Sequence, residues 1–486
     1  MSSDNVIYFD NSATSWPKPR ETGEAMMYYL NDVGANPGRS GHSRSVEAGQ
    51  IVLNARENLC RLFNVKLPQQ IAFTKNITES LNCVFYTMLK GGDHVITSSM
   101  EHNSVMRPLR HLEKTGVIEL TVVKADCEGY CDPDDFGKAV KPNTKMVVST
   151  HSSNVTGTIQ DIAAISRAVK AKKDDIIMVV DSAQSAGAIP IDVPAMGIDV
   201  LCFTGHKSLL GPTGTGGVYL NPAITPEPFM RGGTGSLSDL EEHPLFMPDV
   251  WEAGTGNPMG IAGLGAGVGF VLNKGVENIA REETALNQYF MDAIKDHDMV
   301  KIYGPMDAKR KTAVTSININ GMVCSTVGEQ LNDACGIMVR TGLHCAPGAH
   351  RTLGTFPEGT VGSPSATSPP KTRWMWRFRP YWLWPITRRK TRRTDTMEQK
   401  QIGVVTFFSS QHAIRAEETL KEKGYEVSLM AGPKEISPNC GVALQFQPQY
   451  RDEVESILKE KDVLFEAVHL YTPKVEKGIL KKLLGK

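Results

Sequence analysis

The first 270 residues alternate between short apolar runs and longer amphipathic stretches, a pattern that predicts alternating strands and helices. Several of the runs, such as residues 176–180, are apolar along their whole length instead of at every second position. Strands of this kind are buried on both faces, so the pattern predicts an α/β fold with a mostly parallel central sheet. The predicted strands are residues 71–74, 94–97, 118–123, 146–150, 176–180, 199–203 and 217–220.

Two charged residues follow the carboxyl ends of these predicted strands, where ligands of parallel sheets bind. Asp181 closes the run 176–180, and a buried carboxylate there needs a cation or several hydrogen bonds. A protonated pyridine nitrogen would supply that cation. Lys207 follows the run 199–203, and a desolvated lysine amine is suited to forming a Schiff base with an aldehyde cofactor. Most lysines are solvated charges, so the assignment of Lys207 depends on its neighbours.

Five motifs occur in an order that resembles the cysteine desulfurases, which belong to the class V aminotransferases in the fold-type I group of pyridoxal-phosphate enzymes. The resemblance covers about residues 6–361. It implies a large domain of about residues 15–255, and a small domain built from the N-terminal segment and about residues 256–361. It also implies pyridoxal 5'-phosphate as the cofactor and a homodimer. The motifs are Asp10-Asn11-Ser12-Ala13-Thr14, Asn76-x-Thr78-Glu79-Ser80, Glu101-His102-Asn103, Asp181-Ser182-Ala183-Gln184 and Thr204-Gly205-His206-Lys207.

The resemblance implies a role for each matching residue. Lys207 would bind the cofactor aldehyde as a Schiff base, His102 would stack on the ring, and Asp181 would contact the pyridine nitrogen. From the residues alone, Thr78 could equally well belong to a helix cap. Gln184 would contact the ring hydroxyl, and Asn154 would lie beside the cofactor. The phosphate would be bound by the amide of Ile77, by Thr78, Thr204 and His206, and by Thr255 of a second subunit. The substrate would be contacted by Asn36, Arg39 and Arg340.

Residues 340–346, Arg-Thr-Gly-Leu-His-Cys-Ala, form a second chemical centre. The thiol of Cys345 adjoins His344, a setting that can lower a thiol pKa, and the nearby glycines and proline predict a flexible loop. A buried, inert cysteine is the alternative interpretation. The segment resembles the desulfurase motif Arg-x-Gly-x-His-Cys-Ala, which implies that Cys345 takes the sulfur of L-cysteine as a persulfide and leaves L-alanine. A lyase acting on selenocysteine is the runner-up within this class.

The composition changes abruptly at residues 362–396, which hold four of the six tryptophans, nine Lys/Arg residues and one acidic residue. Without this segment the chain carries 44 basic and 52 acidic residues, a net charge of −8 instead of 0. Taken at face value, the segment is a basic aromatic linker, an interfacial membrane peptide or a nucleic-acid patch. Back-translation of residues 368–378 with a shifted frame gives Thr-Thr-Glu-Asp-Glu-Val-Asp-Val-Ala-Leu, which reads as the start of an amphipathic helix. We therefore interpret the segment as a frameshift product beginning near Gly362, where the family carries an arginine that binds the substrate carboxylate.

Residues 397–486 predict a separate small domain with the element order βαββαβ, an α/β sandwich of ferredoxin-like type. Its Ser-Ser-Gln-His-Ala and Ile-Ser-x-x-Cys-Gly segments resemble the small sulfur/selenium carrier-like family, which implies that Cys440 accepts a persulfide. A turn cysteine without a role is the alternative. The predicted strands and helices are residues 401–408, 411–423, 425–430, 442–446, 450–459 and 463–469.

Composition narrows the remaining classes of function. No apolar run is long enough to cross a bilayer and the N-terminus lacks the features of a signal peptide, so a cytoplasmic protein without a membrane partner is predicted. The nine cysteines form no C-x-x-C pair, which predicts reduced thiols and no metal site. A net charge of zero argues against a nucleic-acid partner. Outside the enzyme class, the alternative is a catalytically impaired cofactor-binding protein or carrier scaffold.

Overall fold

The computed structural model describes residues 7–37, 41–363, 401–433, 436 and 442–472. Within these ranges the α-helices are α1 (Arg20–Tyr28), α2 (Ser43–Phe63), α3 (Ile77–Met88), α4 (Asn103–Lys114), α5 (Pro133–Lys138), α6 (Ile162–Lys170), α7 (Pro258–Lys274), α8 (Val276–Ile294), α9 (Cys324–Cys335), α10 (Pro347–Thr352), α11 (Ser410–Glu422) and α12 (Arg451–Glu460). The strands are β1 (Ile7–Tyr8), β2 (Ile71–Thr74), β3 (Asp93–Ser98), β4 (Ile118–Val123), β5 (Thr144–Thr150), β6 (Ile177–Asp181), β7 (Val200–Thr204), β8 (Gly216–Leu220), β9 (Val300–Tyr303), β10 (Thr315–Ile319), β11 (Ile337–Met338), β12 (Arg340–Gly342), β13 (Thr360–Ser363), β14 (Ile402–Thr406), β15 (Val427–Ala431), β16 (Val442–Phe446) and β17 (Ala467–Tyr471).

A sheet of seven described strands forms the centre of the large domain, in the order β2-β8-β7-β6-β5-β3-β4. The pairings from β4 through β3, β5 and β6 to β7 are parallel, whereas β8 is antiparallel to β7 and to β2. Every residue of β6, β7 and β8 is buried, because α2, α6 and α7 pack on one face of the sheet and α3 and α4 on the other. The predicted α/β fold with a mostly parallel sheet is confirmed, and the observed strand ends differ from the predicted ones by at most two residues.

A second sheet lies in the small domain and has the strand order β12-β13-β10-β9, with all pairings antiparallel. Its core combines apolar residues of α8 and α9 with Ile317 of β10 and Val361 of β13. Phe9, which directly follows β1, belongs to the same core, and β1 itself pairs in parallel with β11. The N-terminal segment therefore reaches this part of the fold, close to the strand that leads into the Cys345 loop.

Strand β13 lies between β12 and β10 and includes the first two residues of the compositionally aberrant segment. Gly362 stands opposite Arg340 on one side and opposite Ser316 on the other. Residues 364–400, and with them most of the proposed frameshift product, lie outside the described residues.

The C-terminal domain has the element order β14-α11-β15-β16-α12-β17, as the sequence predicts. Its strands form an antiparallel sheet in the order β15-β16-β14-β17, which is the ferredoxin-like arrangement. Both helices pack on one face of this sheet, around buried residues that include Leu444 of β16, Ala416 of α11 and Leu458 of α12. The last strand begins four residues later than predicted, and Cys440 lies outside the described residues.

Among the described helices, none is by itself both long and apolar enough to cross a bilayer. Helices α7 and α8 satisfy the length and composition requirements only as a pair, and the pair is bent by 78°.

Candidate active site

A cavity of about 230 Å³ opens where β6 and β7 end, between the large-domain sheet and the small domain. Parallel strands deliver their carboxyl ends to one edge of the sheet, which is why side chains far apart in sequence meet here. The sequence-predicted residues that line the cavity are Ile77, Thr78, His102, Asn154, Gln184, Thr204, His206, Lys207, Arg340 and Cys345.

Lys207 stands in the turn after β7 and is the amine of the cavity. Burial lowers the pKa of Lys207 to about 8, although the carboxylate of Asp181 partly opposes this effect. A substantial fraction of the amine is therefore neutral near pH 8, and a neutral amine is the form that attacks an aldehyde.

Asp181 is the last residue of β6 and is 3% exposed. Its carboxylate accepts a hydrogen bond from the amide of Ala183 at 2.9 Å, and among the described residues it forms no salt bridge. Burial raises the pKa of Asp181, against the attraction of the Lys207 ammonium. The site thus contains a buried carboxylate that a ligand cation would stabilise. Beside it, Gln184 donates from Nε2 to the carbonyl of Ser12 at 3.1 Å.

Several hydrogen-bond donors without partners collect at one end of the cavity. Thr204 Oγ1, His206 Nδ1 and Ser12 Oγ are buried and have no hydrogen-bond partner among the described residues. Helix α3 begins at the same place with Ile77, and the first amides of a helix have no intrahelical acceptor. The cap itself is Asn76, which accepts from the amide of Glu79 at 3.1 Å, so Thr78 is not the capping residue. This group of donors, here called the anion cup (Ser12, Ile77, Thr78, Thr204 and His206), is suited to a phosphate.

His102 caps α4, because its Nδ1 accepts from the amide of Ser104 at 3.0 Å. Burial lowers the pKa of His102 to about 4, so the imidazole is neutral at physiological pH. Directly before it, Glu101 is buried and accepts from Ser98 Oγ at 2.5 Å and from the amide of Thr150 at 3.0 Å. These contacts fix the backbone that carries the His102 ring to the cavity wall.

The thiol of Cys345 is exposed, and large-domain groups hold its backbone in place. Asn154 Nδ2 donates to the carbonyl of His344 at 2.5 Å, and the amide of Asn103 donates to the carbonyl of Cys345 at 2.8 Å. Both His344 and Cys345 adopt positive φ angles, of 48° and 56°. Pro347 begins α10 soon afterwards, so the loop predicted around Cys345 is limited to residues 343–346.

The sequence places His344 and Arg340 near the Cys345 thiol as groups that could lower its pKa, and the burial of His344 argues against a contribution from that imidazole. The His344 ring is buried, 3.5 Å from both Thr360 Oγ1 and the carbonyl of Arg340, and it packs against the ring of His350. Burial lowers the pKa of His344 to about 3, so no imidazolium stands beside Cys345 at neutral pH. The cations that share the cavity with the thiol are Lys207 and Arg340.

Five predicted residues are not part of this cavity lining, and one of them is Asp181, which lies buried at the end of β6. Asn36 and Thr255 are exposed, and the cavity lining does not include them, while Arg39 and Cys440 lie outside the described residues. The segment that carries Thr255 is anchored by Glu252, whose carboxylate accepts two hydrogen bonds from Arg56 Nη2 at 2.9 and 2.7 Å. The role of Thr255 in a second subunit's site stays a prediction.

The sequence did not assign a role to seven residues that do line the cavity: Phe9, Asp10, Ser12, Ala13, Asn76, Val314 and Gly362. Asp10 and Asn76 stand within the matched motifs, so a signal for them existed. Val314 and Gly362 come from the small domain, and nothing local in the sequence indicates that its strands face Lys207.

Comparison with known proteins fits this geometry. Residues 7–360 match the model of the family described as aminotransferase class-V. The chain belongs to the class-V aminotransferases. Class-V aminotransferases of the cysteine desulfurase type are pyridoxal-phosphate-dependent enzymes. Residues 403–470 of the chain separately match the Se/S carrier protein-like family.

Similar class-V aminotransferases include two archaeal proteins named "Probable cysteine desulfurase". The protein from Methanothermobacter thermautotrophicus is 34% identical over 359 residues, which cover 73% of this chain and 88% of the relative. The protein from Pyrococcus abyssi is 35% identical over 349 residues, which cover 70% of this chain and 85% of the relative. The apo structure of a cysteine desulfurase from Thermococcus onnurineus NA1 has a TM-score of 0.69 at 34% identity, and covers 75% of this chain and 91% of that chain. This likeness confirms the predicted fold-type I architecture.

The residues of the cavity fit pyridoxal 5'-phosphate. Asp181 offers the buried carboxylate that a protonated ring nitrogen requires. The unpartnered donors of Thr204 and His206, together with the first turn of α3, suit the phosphate. Lys207 offers an amine whose pKa of about 8 is compatible with bonding to the aldehyde.

The buried, neutral state of His344 predicts an acid-dependent loss of stability. In the unfolded chain a histidine takes up a proton near its ordinary pKa of about 6.5, whereas folded His344 stays neutral down to about 3. Its contribution to stability is therefore complete above pH 6.5 and is lost as the pH falls toward 3. As the pH decreases, the free energy of unfolding should fall less steeply for His344→Gln than for the wild-type chain. The difference between the two slopes should be up to about 1.4 kcal/mol per pH unit.

Urea unfolding of both proteins across the range of about pH 7 to 5 measures this slope. The exposed His111 provides the control, since His111→Gln should leave the slope of the wild-type protein unchanged. Equal slopes for His344→Gln and the wild-type chain would show that His344 is protonated in the folded state.

Proposed function

We propose that this chain is a pyridoxal-phosphate-dependent cysteine desulfurase that converts L-cysteine to L-alanine and receives the sulfur on Cys345 as a persulfide. The observation that carries the proposal is that Lys207 and Cys345, from different domains, line one cavity together with Arg340. A cofactor-binding lysine alone would suit many reactions of this fold, whereas an exposed thiol facing the same space specifies sulfur transfer.

The cofactor would be held by groups that line the cavity, together with Asp181 at the buried end of β6. Asp181 would pair with the ring nitrogen, Gln184 with the ring hydroxyl, and the anion cup with the phosphate, while the neutral ring of His102 would stack on the pyridine. When bound, pyridoxal phosphate supplies an electron sink for charge that develops on the substrate carbon. Thr255 of a second subunit would complete the phosphate site.

The chain's own residues would do the rest of the chemistry. Lys207 moves protons, which its pKa of about 8 permits near neutral pH. Arg340 would contact the substrate as a cation in the cavity wall. The sulfur of Cys345 bonds to the substrate sulfur, and the bond from that sulfur to Cβ breaks with its electron pair left on carbon. Protonation of that carbon completes the methyl group of alanine.

The sequential position of the carrier-like domain makes Cys440 the proposed next acceptor. Residues 403–470 match a carrier-like family and follow the desulfurase-like domain in the same chain, so donor and acceptor would be present in equal amounts. The sulfur would pass from the Cys345 persulfide to the Cys440 thiolate by thiol–disulfide-type exchange, leaving Cys345 as a thiolate.

Replacement of Cys345 tests the function and the transfer together. Incubation of the full chain with L-cysteine, followed by alkylation and mass spectrometry, should show a persulfide on Cys345 and then on Cys440. In Cys345→Ser the persulfide at both positions and the release of alanine should be lost, because serine cannot accept the sulfur.

Cys127 provides a matched control, since it is also exposed but lies outside the cavity lining, and Cys127→Ser should behave as the wild-type chain does. Alanine formation that continues in Cys345→Ser would refute the role of this thiol. A persulfide that never leaves Cys345 would refute the role of Cys440.

A specific observation favours a second candidate, a cofactor-binding protein with impaired catalysis. Gly362 lines the cavity and stands opposite Arg340, at the place where the resemblance expects an arginine for the substrate carboxylate. A Cβ atom at this position would lie 3.2 Å from Nε2 of His344, so a side chain requires only a small shift of that ring. The chain as written would then bind cofactor but hold L-cysteine weakly.

Restoring the arginine predicts a gain of function. In Gly362→Arg, the KM for L-cysteine should fall by about 10- to 100-fold, the value of one charge-assisted hydrogen-bonded contact. Gly362→Gln is the matched control, because it adds a side chain of similar length without the charge and should leave KM nearly unchanged. Equal effects of the two substitutions would contradict the carboxylate contact, and sequencing the gene across codons 360–396 tests the frameshift interpretation itself.

A homodimer is proposed from the surface around residues 229–246. Six large apolar side chains in this stretch are exposed: Phe229, Met230, Leu237, Leu240, Leu245 and Phe246. A patch of this kind on a well-packed domain is typical of a protein interface. It precedes the segment that carries Thr255, so a partner subunit covering the patch would also bring Thr255 near a second site.

Light scattering on the wild-type chain should give twice the chain mass of 53.2 kDa. The double substitution Leu245→Glu with Phe246→Glu should shift the protein to the monomer mass, because it places charges in an apolar interface. Ile414→Glu, on an exposed site of α11 in the other domain, should leave the dimer intact. A monomer mass for the wild-type chain would refute the homodimer.

A further inference from the structure

Lys18 lies in the segment between β1 and α1 and is enclosed by backbone and hydroxyl oxygens. Its Nζ is 2.7 Å from Ser15 Oγ, 3.1 Å from the Ser15 carbonyl and 3.1 Å from the His206 carbonyl. An ammonium has three N–H donors, so these three oxygens satisfy it. Among the described residues, no carboxylate lies within salt-bridge distance of Lys18. Burial lowers the pKa of Lys18 to about 8, so at neutral pH most of this amine is an ammonium, which these dipoles solvate and no carboxylate among the described residues neutralises.

The His206 carbonyl is a shared acceptor for this whole segment. It accepts from the amide of Ser15 at 3.0 Å, and the hydroxyls of Ser15 and Thr14 each lie 3.2 Å from it. The Ser15 hydroxyl is also 3.0 Å from the carbonyl of Lys207. Residues 14–18 thus rest on the backbone of the two residues that supply the anion cup and the cavity amine.

The anion cup itself carries no charge of its own. Burial lowers the pKa of His206 to about 4, with further lowering by the charges of Lys207 and Lys18, so this imidazole is neutral at physiological pH. The other members of the cup contribute hydroxyls and amides. Lys207 and Arg340 are the cations in the described cavity lining, and the proposed function assigns Lys207 to the aldehyde and Arg340 to the substrate. A phosphate dianion in the cup would therefore lack a dedicated positive charge.

We propose that Lys18 is the counter-charge of the phosphate end of the cavity, acting from behind the His206 carbonyl as a positioning residue. The proposal rests on the proposed cofactor site. The ammonium holds the backbone that presents the His206 side chain, and it also makes the electrostatic potential of the neutral cup positive. A unit charge in partly buried surroundings interacts more strongly with a nearby phosphate than it would in water. The ligand class that this arrangement favours is a phosphate monoester dianion.

The experiment compares two probes that differ only in the phosphate. Pyridoxine 5'-phosphate and pyridoxine both carry an alcohol in place of the aldehyde, so neither bonds to Lys207. Their affinities for the full-length chain, freed of cofactor, are measured by titration calorimetry in the wild-type protein, Lys18→Met and Lys18→Arg. Lys18→Met should weaken pyridoxine 5'-phosphate about tenfold and leave pyridoxine unchanged, because only the phosphate senses the charge. Lys18→Arg should retain most of the affinity, since it keeps the positive charge.

A merely structural role would give a different result. If Lys18 only braces the backbone, Lys18→Gln, whose amide can still donate to Ser15 and His206, binds pyridoxine 5'-phosphate as tightly as the wild-type chain does, and that outcome overturns the proposal. Unchanged affinity for both probes in Lys18→Met overturns it as well. Failure of the wild-type chain to bind either probe would instead refute the proposed cofactor site. Should Lys18→Met not fold, Lys18→Gln carries the same test, because its amide can still donate to Ser15 and His206 without a charge.

Discussion

The carboxylate of Asp181 is the constraint around which the cavity is arranged. Strand β6 is buried along its whole length, so this charge cannot reach water, and an isolated buried carboxylate costs several kcal/mol. The protein supplies one amide hydrogen bond and the partial attraction of Lys207. That is too little to neutralise the charge, and the raised pKa of Asp181 reflects the deficit. The ring of the proposed cofactor, with its protonated nitrogen, would supply the missing positive charge.

The two domains contribute differently to the reacting groups. Most of the fixed groups of the cavity, including Asp181, His102 and Lys207, belong to the large domain, whereas the exposed thiol comes from the small domain. The loop that carries this thiol is nevertheless held against the large domain, because Asn154 and the amide of Asn103 both donate hydrogen bonds to carbonyls of the Cys345 loop. Since these bonds reach only the backbone, they fix the position of the sulfur without restricting the side chains around it.

The sequence predicted what depends on local pattern and missed what depends on long-range packing. The strands that end at Asp181 and Thr204 were predictable because double-sided burial produces uninterrupted apolar runs. The state of His344 was not, because its neutrality depends on burial against Thr360 and His350 after the small-domain sheet has formed. The inward position of Gly362 follows from strand register, and the contacts of Lys18 with His206 join residues 188 positions apart. Neither leaves a trace in the neighbouring sequence.

Strand β13 contributes in different ways to the stability of the fold and to the proposed binding of the substrate. Its ladder to β12 and β10 is built from main-chain groups, which nearly any amino acid can offer, so Gly362 and Ser363 can pair there whatever their side chains. Binding of the substrate carboxylate, in contrast, would depend on the identity of a single side chain in that strand. If the proposed frameshift is genuine, it would leave the large domain, which precedes it in the chain, unchanged. Such a protein would keep its cofactor site while its turnover of substrate declines. An assay of folding would not detect this loss of activity.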